Sequence, residues 1–179
     1  VEWSKGTNKT GLKTRTVLLG DIINSPLVLA SPTEQTASDL ANDTSYSNYL
    51  ATKASNMNSN LVVNGNDGFV SVINAGNGAR RYAYMPSSVL PSLRYIADTA
   101  YINGVSHKFL VDGQIGVFDA QLAGAWKTLA LGGTGAGGKT FYALQLFDAS
   151  AGNAIKALWE ISAPTTANTA NTFNDLGYA

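Results

Sequence analysis

The feature that most constrains this fold is a series of short, strand-length apolar segments separated by turns rich in glycine and asparagine. Each segment is rich in Val, Ile, Leu or aromatic residues and is bounded by Gly, Asn, Asp or Pro. Alternation of side-chain character is clearest in 141–147. The segments span residues 16–19, 26–30, 61–63, 69–73, 108–111, 115–118, 126–131, 141–147 and 155–161. The pattern predicts an all-β fold.

Helix signals are weaker and fall in two places. Leu90, Leu93 and Ile96 repeat at helical spacing after a serine that can cap a helix, which predicts a short helix in residues 87–96. A second short helix is predicted within residues 38–54, where large apolar anchors are few. We therefore expect helices only as insertions.

The strand pattern occurs twice. Residues 61–84 follow the plan strand, glycine turn, strand, Asn-Ala-x-x-Gly turn, strand, and residues 129–159 repeat it with Asp148-Ala149 in the second turn. One more strand precedes each unit, and each unit ends in an aromatic strand, as β-propeller blades do.

We therefore predict a single domain over residues 1–179 that is a segment of a β-propeller with about two four-stranded blades. The blade-like units are about 16–85 and 105–161. Insertions at about 31–60 and 86–104 lengthen them, and we interpret the polar stretch 31–60 as a surface loop. Two blades cannot close a ring, so we expect a longer propeller or strand edges that pair elsewhere.

Composition excludes several classes of function. Lys plus Arg and Asp plus Glu each number 12, so the net charge is zero, which argues against nucleic-acid binding and polybasic membrane binding. Cysteine is absent, which removes disulfides, thiolate zinc sites and cysteine nucleophiles. No apolar run approaches the length of about 18 to 20 residues that spans a bilayer. We expect no nucleic-acid partner and no membrane span.

Several ordered blocks of sequence resemble the C-terminal propeller of the PilC/PilY family of type IV pilus biogenesis factors and tip adhesins. The units also resemble the quinoprotein-type propeller repeat. The matching blocks run from about residue 16 to the C-terminus and are 19–26 (LGDIINSP), 63–68 (VNGNDG), 82–87 (YAYMPS), 107–113 (HKFLVDG), 124–128 (GAWKT), 131–138 (LGGTGAGG), 141–144 (FYAL) and 175–178 (DLGY).

The resemblance implies a non-enzymatic component of type IV pilus biogenesis that supports pilus assembly and surface attachment. It implies minor pilins and the pilus tip as partners, with host or abiotic surfaces contacted through other regions. It places the protein at the cell surface, on the pilus tip or outer membrane, after transit through the periplasm. The family's calcium loop would lie beyond Ala179, so no cofactor, metal or catalytic residue is assigned here. The alternatives are a scaffold propeller of another envelope complex and a quinone-dependent dehydrogenase fragment.

The sharpest chemical motif is residues 133–140, which satisfy the phosphate-binding pattern G-x-x-x-x-G-K-[ST]. A phosphate loop needs a helix directly after its Lys-Thr pair, because the helix N-terminus holds the anion. The alternating segment 141–147 follows instead and is typical of a strand. We therefore interpret the motif as a glycine-rich hairpin loop.

Other polar residues have structural explanations. Residues 64–68 resemble a calcium loop but lack its ligand spacing, so we predict a β-turn. The sole histidine, His107, would need Asp112 or Asp119 for a catalytic triad, and no nucleophile elbow is present. Asp21 and Asp112 occupy matching places, where acid–base pairing is one possibility and hydrogen bonding at strand starts the favoured one.

The last candidate binding residues are Trp126 and Trp159, which lie in predicted strands. An aromatic side chain there either packs between blades or offers a platform to a ligand. We expect packing for both tryptophans.

Overall fold

The computed structural model describes residues 2–37, 43–164, 166 and 173–179. Two four-stranded antiparallel sheets dominate it, and in each sheet the strands neighbour one another in chain order. The first sheet contains β1 (Val28–Ala30), β2 (Asn60–Asn64), β3 (Val70–Asn74) and β4 (Arg80–Tyr84). The second contains β5 (Ile115–Leu122), β6 (Ala125–Gly133), β7 (Thr140–Asp148) and β8 (Lys156–Ser162). The predicted all-β fold with two four-stranded units is confirmed.

The repeated turn motif is closed by the same backbone hydrogen bond in both sheets. In the turn after β3, Gly78 N donates to Asn74 O at 2.9 Å, and in the turn after β7, Gly152 N donates to Asp148 O at 2.6 Å. Gly78 and Gly152 adopt positive φ angles of 73° and 65°, which only glycine adopts freely. The register also shifts once within the β3–β4 pair and once within the β7–β8 pair. The two sheets are thus structural copies of one plan.

The core lies between the sheets. The middle strands contribute more to it than the edge strands, because their side chains are buried on both faces. In β7 every side chain except Phe141 is buried, so the alternation seen in the sequence of 141–147 does not extend to burial. The rings of Tyr84 and Tyr142 lie 5.9 Å apart across the interface between the sheets. Its fully buried large side chains include Val62, Val70, Val72, Leu144, Leu146 and Phe147.

Two predicted strands are wrong. Residues 16–19 and 108–111 are irregular segments with bends and lie outside both sheets. Val17 and Leu18 are exposed, whereas Leu110 is buried and its N–H donates to the side chain of Asn66 at 2.9 Å. The Asn66 side chain thus accepts the Leu110 N–H that a neighbouring strand would accept in a sheet.

The insertion between β1 and β2 contains the short helix predicted within residues 38–54, but it does not lie only on the surface as expected. It contains α1 (Ser45–Asn56), whose side chains Tyr46, Tyr49 and Lys53 are buried. Part of the segment, residues 38–42, lies outside the described residues. The insertion therefore contributes to the core.

The second predicted helix divides into two short elements. A 3-10 helix covers Ser87–Ser92 and α2 covers Leu93–Ile96. Pro91 lies inside the 3-10 helix, where its missing N–H costs little in so short an element. Ile96 is buried as the helical spacing predicts, but Leu90 faces solvent and Val89 is buried in its place.

Candidate functional site

The residues singled out in the sequence meet where the turn after β2 reaches the loops before β5 and after β6. Asn64 is at the centre of this contact. Its side-chain amide donates to the carbonyls of Gly113 at 2.9 Å and Gly133 at 3.3 Å. Its side-chain oxygen accepts the Tyr142 hydroxyl at 2.7 Å. We call Asn64, Asn66, Asp112 and Tyr142 the inter-sheet junction, since their hydrogen bonds join the two sheets.

Asn66 extends the junction to both matching aspartates. Its amide nitrogen lies 3.3 Å from Asp21 Oδ2 and 3.4 Å from Asp112 Oδ1. Asp112 also accepts the backbone N–H of Asn24 at 3.1 Å and the Asn24 side-chain amide at 2.5 Å. Asp112 is therefore used for hydrogen bonding just before β5 begins, which was the favoured interpretation.

His107 pairs with neither of the aspartates that a catalytic triad would need. Its Nε2 lies 2.8 Å from Asp21 Oδ2, and its ring packs edge-on to Phe109 at 5.0 Å. Asp112 instead faces the junction, and Asp119 contacts the Lys53 ammonium in the described structure. Neither aspartate can therefore complete a triad with His107, which agrees with the structural role that the sequence favours.

The predicted turn at residues 64–68 is confirmed. Gly68 N donates to Gly65 O at 3.0 Å, and Gly68 has a φ of 92°. The side-chain oxygens of Asn64 and Asn66 both accept protein donors, so they are not directed at a cation. Among the described residues, no group of three or more His, Asp or Glu side chains has an arrangement suited to a metal ion.

Asp67 in the same turn is a buried carboxylate that sequence reasoning missed. Burial raises its pKa, while the N–H of Phe69 and the guanidinium groups of Arg15 and Arg80 oppose that shift. Its Oδ2 lies 3.6 Å from Arg15 and 4.0 Å from Arg80. These arginines come from distant parts of the chain, so no local sequence pattern could identify the pairing.

The phosphate-loop motif forms a hairpin connection between β6 and β7. Thr134 N donates to Thr140 O at 3.0 Å, and β7 starts at Thr140, where a phosphate loop would start a helix. A Cβ atom on Gly137 would lie 2.0 Å from the carbonyl oxygen of Leu110. Gly137 therefore allows two backbone segments to pack closely. The interpretation of the motif as a hairpin loop is confirmed.

A second buried polar cluster anchors α1 on the second sheet. The Lys53 ammonium lies 2.9 Å from Asp119 Oδ2, and the two side chains are 1% and 0% exposed. The Tyr46 hydroxyl donates to Asp119 at 2.8 Å, and the Thr128 hydroxyl donates to it at 2.7 Å. Lys53 also donates to the carbonyl of Glu34 at 2.7 Å. We call this set the helix anchor.

A third polar contact joins the outer strands. Glu160 in β8 accepts the Tyr84 hydroxyl at 2.5 Å and the N–H of Ser87 at 2.8 Å. Partial burial acts to raise the pKa of Glu160, but hydrogen bonds from Ser87 and Tyr84 outweigh it and lower the pKa. Sequence reasoning missed this contact, since its partners are far apart along the chain.

The two tryptophans differ. Trp126 packs against Tyr46 with ring centroids 4.5 Å apart, and its indole N–H donates to Ser45 at 3.0 Å. Trp159 lies on β8 and is 43% exposed. The packing prediction is confirmed for Trp126, although its neighbours belong to α1, and it is wrong for Trp159.

These observations define a class of protein before any comparison. Two equivalent four-stranded sheets are joined by buried side-chain hydrogen bonds, which is the organisation of neighbouring propeller blades. The polar side chains of the junction form hydrogen bonds with groups of the protein, and so do those of the helix anchor. No helix in the described part of the chain is both long and apolar enough to cross a membrane.

Comparison with known proteins supplies the family. The family model described as the PilY1 beta-propeller domain matches residues 19–179. The chain therefore belongs to the PilY1 beta-propeller domain family.

Curated relatives agree. A type IV pilus biogenesis factor PilY1 homolog from Xylella fastidiosa (strain Temecula1 / ATCC 700964) is 34% identical over 167 residues, which covers 89% of this chain and 10% of the relative. PilY1 of Pseudomonas aeruginosa (strain UCBPP-PA14) is 31% identical over 170 residues, which covers 93% of this chain and 14% of the relative. The chain thus spans only a small part of the length of these relatives.

Among solved structures, the crystal structure of the Pseudomonas aeruginosa PilY1 C-terminal domain is 30% identical to this chain, with a TM-score of 0.47. The match covers 65% of this chain and 21% of that one.

Proposed function

We propose that this chain is a non-enzymatic part of a type IV pilus biogenesis factor that supports pilus assembly and surface attachment. The observation that carries the proposal is the family match over residues 19–179, in which relatives bear that name. The proposed partners are minor pilins and the pilus tip. The proposed location is the bacterial cell surface, at the pilus tip or outer membrane, after passage through the periplasm.

The physical role that we propose is rigid support. The inter-sheet junction and the Glu160 contact tie the two sheets together at separate places, so loops are held at fixed positions relative to one another. Zero net charge gives this surface no general attraction for anionic polymers. Segments that carry contacts with other pilus proteins would lie on the loops.

Deletion of the coding region for residues 19–179 from the parent gene tests the pilus role. We expect fewer surface pili by electron microscopy and reduced twitching motility, with restoration by the intact gene. A matched variant, Trp159→Phe, should leave both unchanged because Trp159 lies on the surface. Normal piliation and motility in the deletion strain would overturn the proposal.

We also propose that the segment works without a bound cofactor. An absorption spectrum of the purified chain tests this against the dehydrogenase alternative. Aromatic absorbance alone is expected. A quinone band that survives gel filtration would favour the alternative.

A further inference from the structure

A cleft lies where α1 crosses the second sheet. Its volume is about 260 Å³. Ser45, Asn48 and Thr52 of α1 line one wall, Trp126 of β6 lies beside them, and Ala149 in the turn after β7 lies opposite. We call it the Trp126 cleft.

The helical wall of the cleft is unusually polar. Ser45, Asn48 and Thr52 are spaced three and four residues apart, so they share the helix face that also carries the buried Tyr49. Ser45 and Asn48 are exposed and Thr52 is half-buried, so this wall of the cleft is open to solvent. The Asn48 side-chain amide has no hydrogen-bond partner among the described residues. The Ser45 hydroxyl donates to the Asp43 carboxylate and accepts the Trp126 N–H, which leaves one acceptor position on its oxygen.

The opposite wall consists of small side chains that keep the cleft open. Ala125, Ala149 and Ser150 lie there. The half-buried Trp126 ring is held in one orientation, because it packs on Tyr46 and its N–H is bonded to Ser45. A fixed, partly exposed indole is thus accessible beside the free Asn48 amide.

The charges near the cleft are already paired. Lys127 and Asp148 form an ion pair beneath it. Asp148 also accepts the N–H of Ser150 at 2.8 Å and its hydroxyl at 2.6 Å. Both Asp148 oxygens therefore have protein donors. The Asp43 carboxylate, next to the cleft, is likewise held by the N–H and the hydroxyl of Ser45.

We propose that the Trp126 cleft binds one ring of a neutral saccharide. The C–H face of a sugar ring is apolar and suits the indole surface, while its hydroxyl groups suit the Asn48 amide and the remaining acceptor position of the Ser45 oxygen. The volume lies just below the range of about 300–1,000 Å³ that holds drug-sized ligands, which fits a single ring better than an extended chain. This inference rests on the proposed function in one respect, because it gives surface attachment a chemical target.

Saturation-transfer NMR on the purified chain tests the inference. The probes are methyl α-glucopyranoside, methyl α-mannopyranoside, methyl β-galactopyranoside and N-acetylglucosamine. We expect at least one to bind with a dissociation constant of about 1 mM, as suits a small, solvent-open site. Absence of binding by all four at about 20 mM would overturn the proposal.

Variants locate the site. Ala149→Leu fills the cleft from an exposed position, and Asn48→Ala removes the free amide, so each should weaken binding about tenfold or more. Trp126→Phe should do the same, whereas Trp159→Phe is the matched control and should bind as the wild type does. Circular dichroism confirms folding of each variant. Unchanged binding by both Ala149→Leu and Asn48→Ala would place the sugar elsewhere and refute the proposal.

The outcome is independent of the pilus experiment, because the assay uses purified chain without pili. If deletion abolishes piliation but no sugar binds, only the saccharide inference falls. If sugar binds but piliation survives deletion, only the pilus proposal falls.

Discussion

Replacement of Tyr142 by Phe tests the inter-sheet junction with the smallest possible change. The Tyr142 hydroxyl donates to Asn64 Oδ1 at 2.7 Å, and both side chains are fully buried. Burial raises the pKa of the Tyr142 hydroxyl, so it stays a protonated donor across the physiological range. Phe keeps the ring that packs on Tyr84 and removes only the donor.

The expected cost follows from the acceptor that is left behind. A buried acceptor that loses its donor costs about 1–3 kcal/mol. A cost of about 2 kcal/mol lowers the melting temperature of a chain of this size by about 4–8 °C. Urea unfolding followed by circular dichroism, with linear extrapolation, measures the change in free energy of unfolding.

Two controls make the result specific. Tyr178→Phe removes a hydroxyl from an exposed ring and should change stability by less than about 0.5 kcal/mol. In an Asn64→Ala background, Tyr142→Phe should cost at least about 1 kcal/mol less than in the wild type, because its acceptor is already gone. A Tyr142→Phe variant within about 0.5 kcal/mol of the wild type would refute the role of this hydrogen bond.

Three further predictions concern other contacts. Lys53→Met leaves the Asp119 carboxylate buried without its cation, so it should lower the free energy of unfolding, measured in urea, by about 3–5 kcal/mol. The double variant with Asp119→Leu should recover part of that loss, whereas a Lys53→Met variant as stable as the wild type would contradict the role of the ion pair. The pKa of Glu160 is lowered in the folded state, so its contribution to stability is present above the unfolded pKa of about 4.3 and is lost as the pH falls through the folded pKa. Glu160→Gln should therefore make the melting temperature depend less on pH in acid, and an unchanged pH profile would count against the contact. Gly137→Ala should strongly reduce the yield of soluble, folded protein, because the added Cβ would collide with the Leu110 backbone. Gly116→Ala is the control, since the space around Gly116 is open, and it should fold normally by circular dichroism; equal behaviour of the two variants would refute the packing argument.

The strand plan could be predicted because its signals are local. Alternating side chains and the glycine turns at Gly78 and Gly152 mark strands and their ends without reference to distant residues. The same local signals failed at residues 16–19 and 108–111, because a strand also needs a partner. Apolar composition alone does not show whether a ladder or, as at Leu110, a side chain will take the backbone N–H.

The candidate site was predictable in its parts and not in its assembly. The sequence places Asp21 and Asp112 at equivalent positions in the two units, but only the fold shows that Asn66 lies between them. The helix anchor was missed because the partners of Lys53 are separated from it by long stretches of chain. One signal was present: Tyr46, Tyr49 and Lys53 share a helix face, and such a face predicts a buried side.

The blade count and the single-domain division, with insertions at 86–104 and at 31–60, stay predictions for the parent protein. Sheet one lies within residues 16–85, and sheet two falls almost entirely within 105–161, with β8 ending at Ser162. The helix anchor shows why an insertion can be retained: α1 fills part of the core beside the second sheet.

The most direct test of the central claim, that the family motifs build a buried junction between two equivalent sheets, is NMR of the purified chain in solution. The side-chain amide of Asn64 is bonded to Gly113 and Gly133, and its oxygen is bonded to Tyr142. We predict slow solvent exchange of the Asn64 side-chain amide protons and nuclear Overhauser effects from them to the Tyr142 ring. Fast exchange of these protons, with no contact to the Tyr142 ring in a folded chain, would contradict the account.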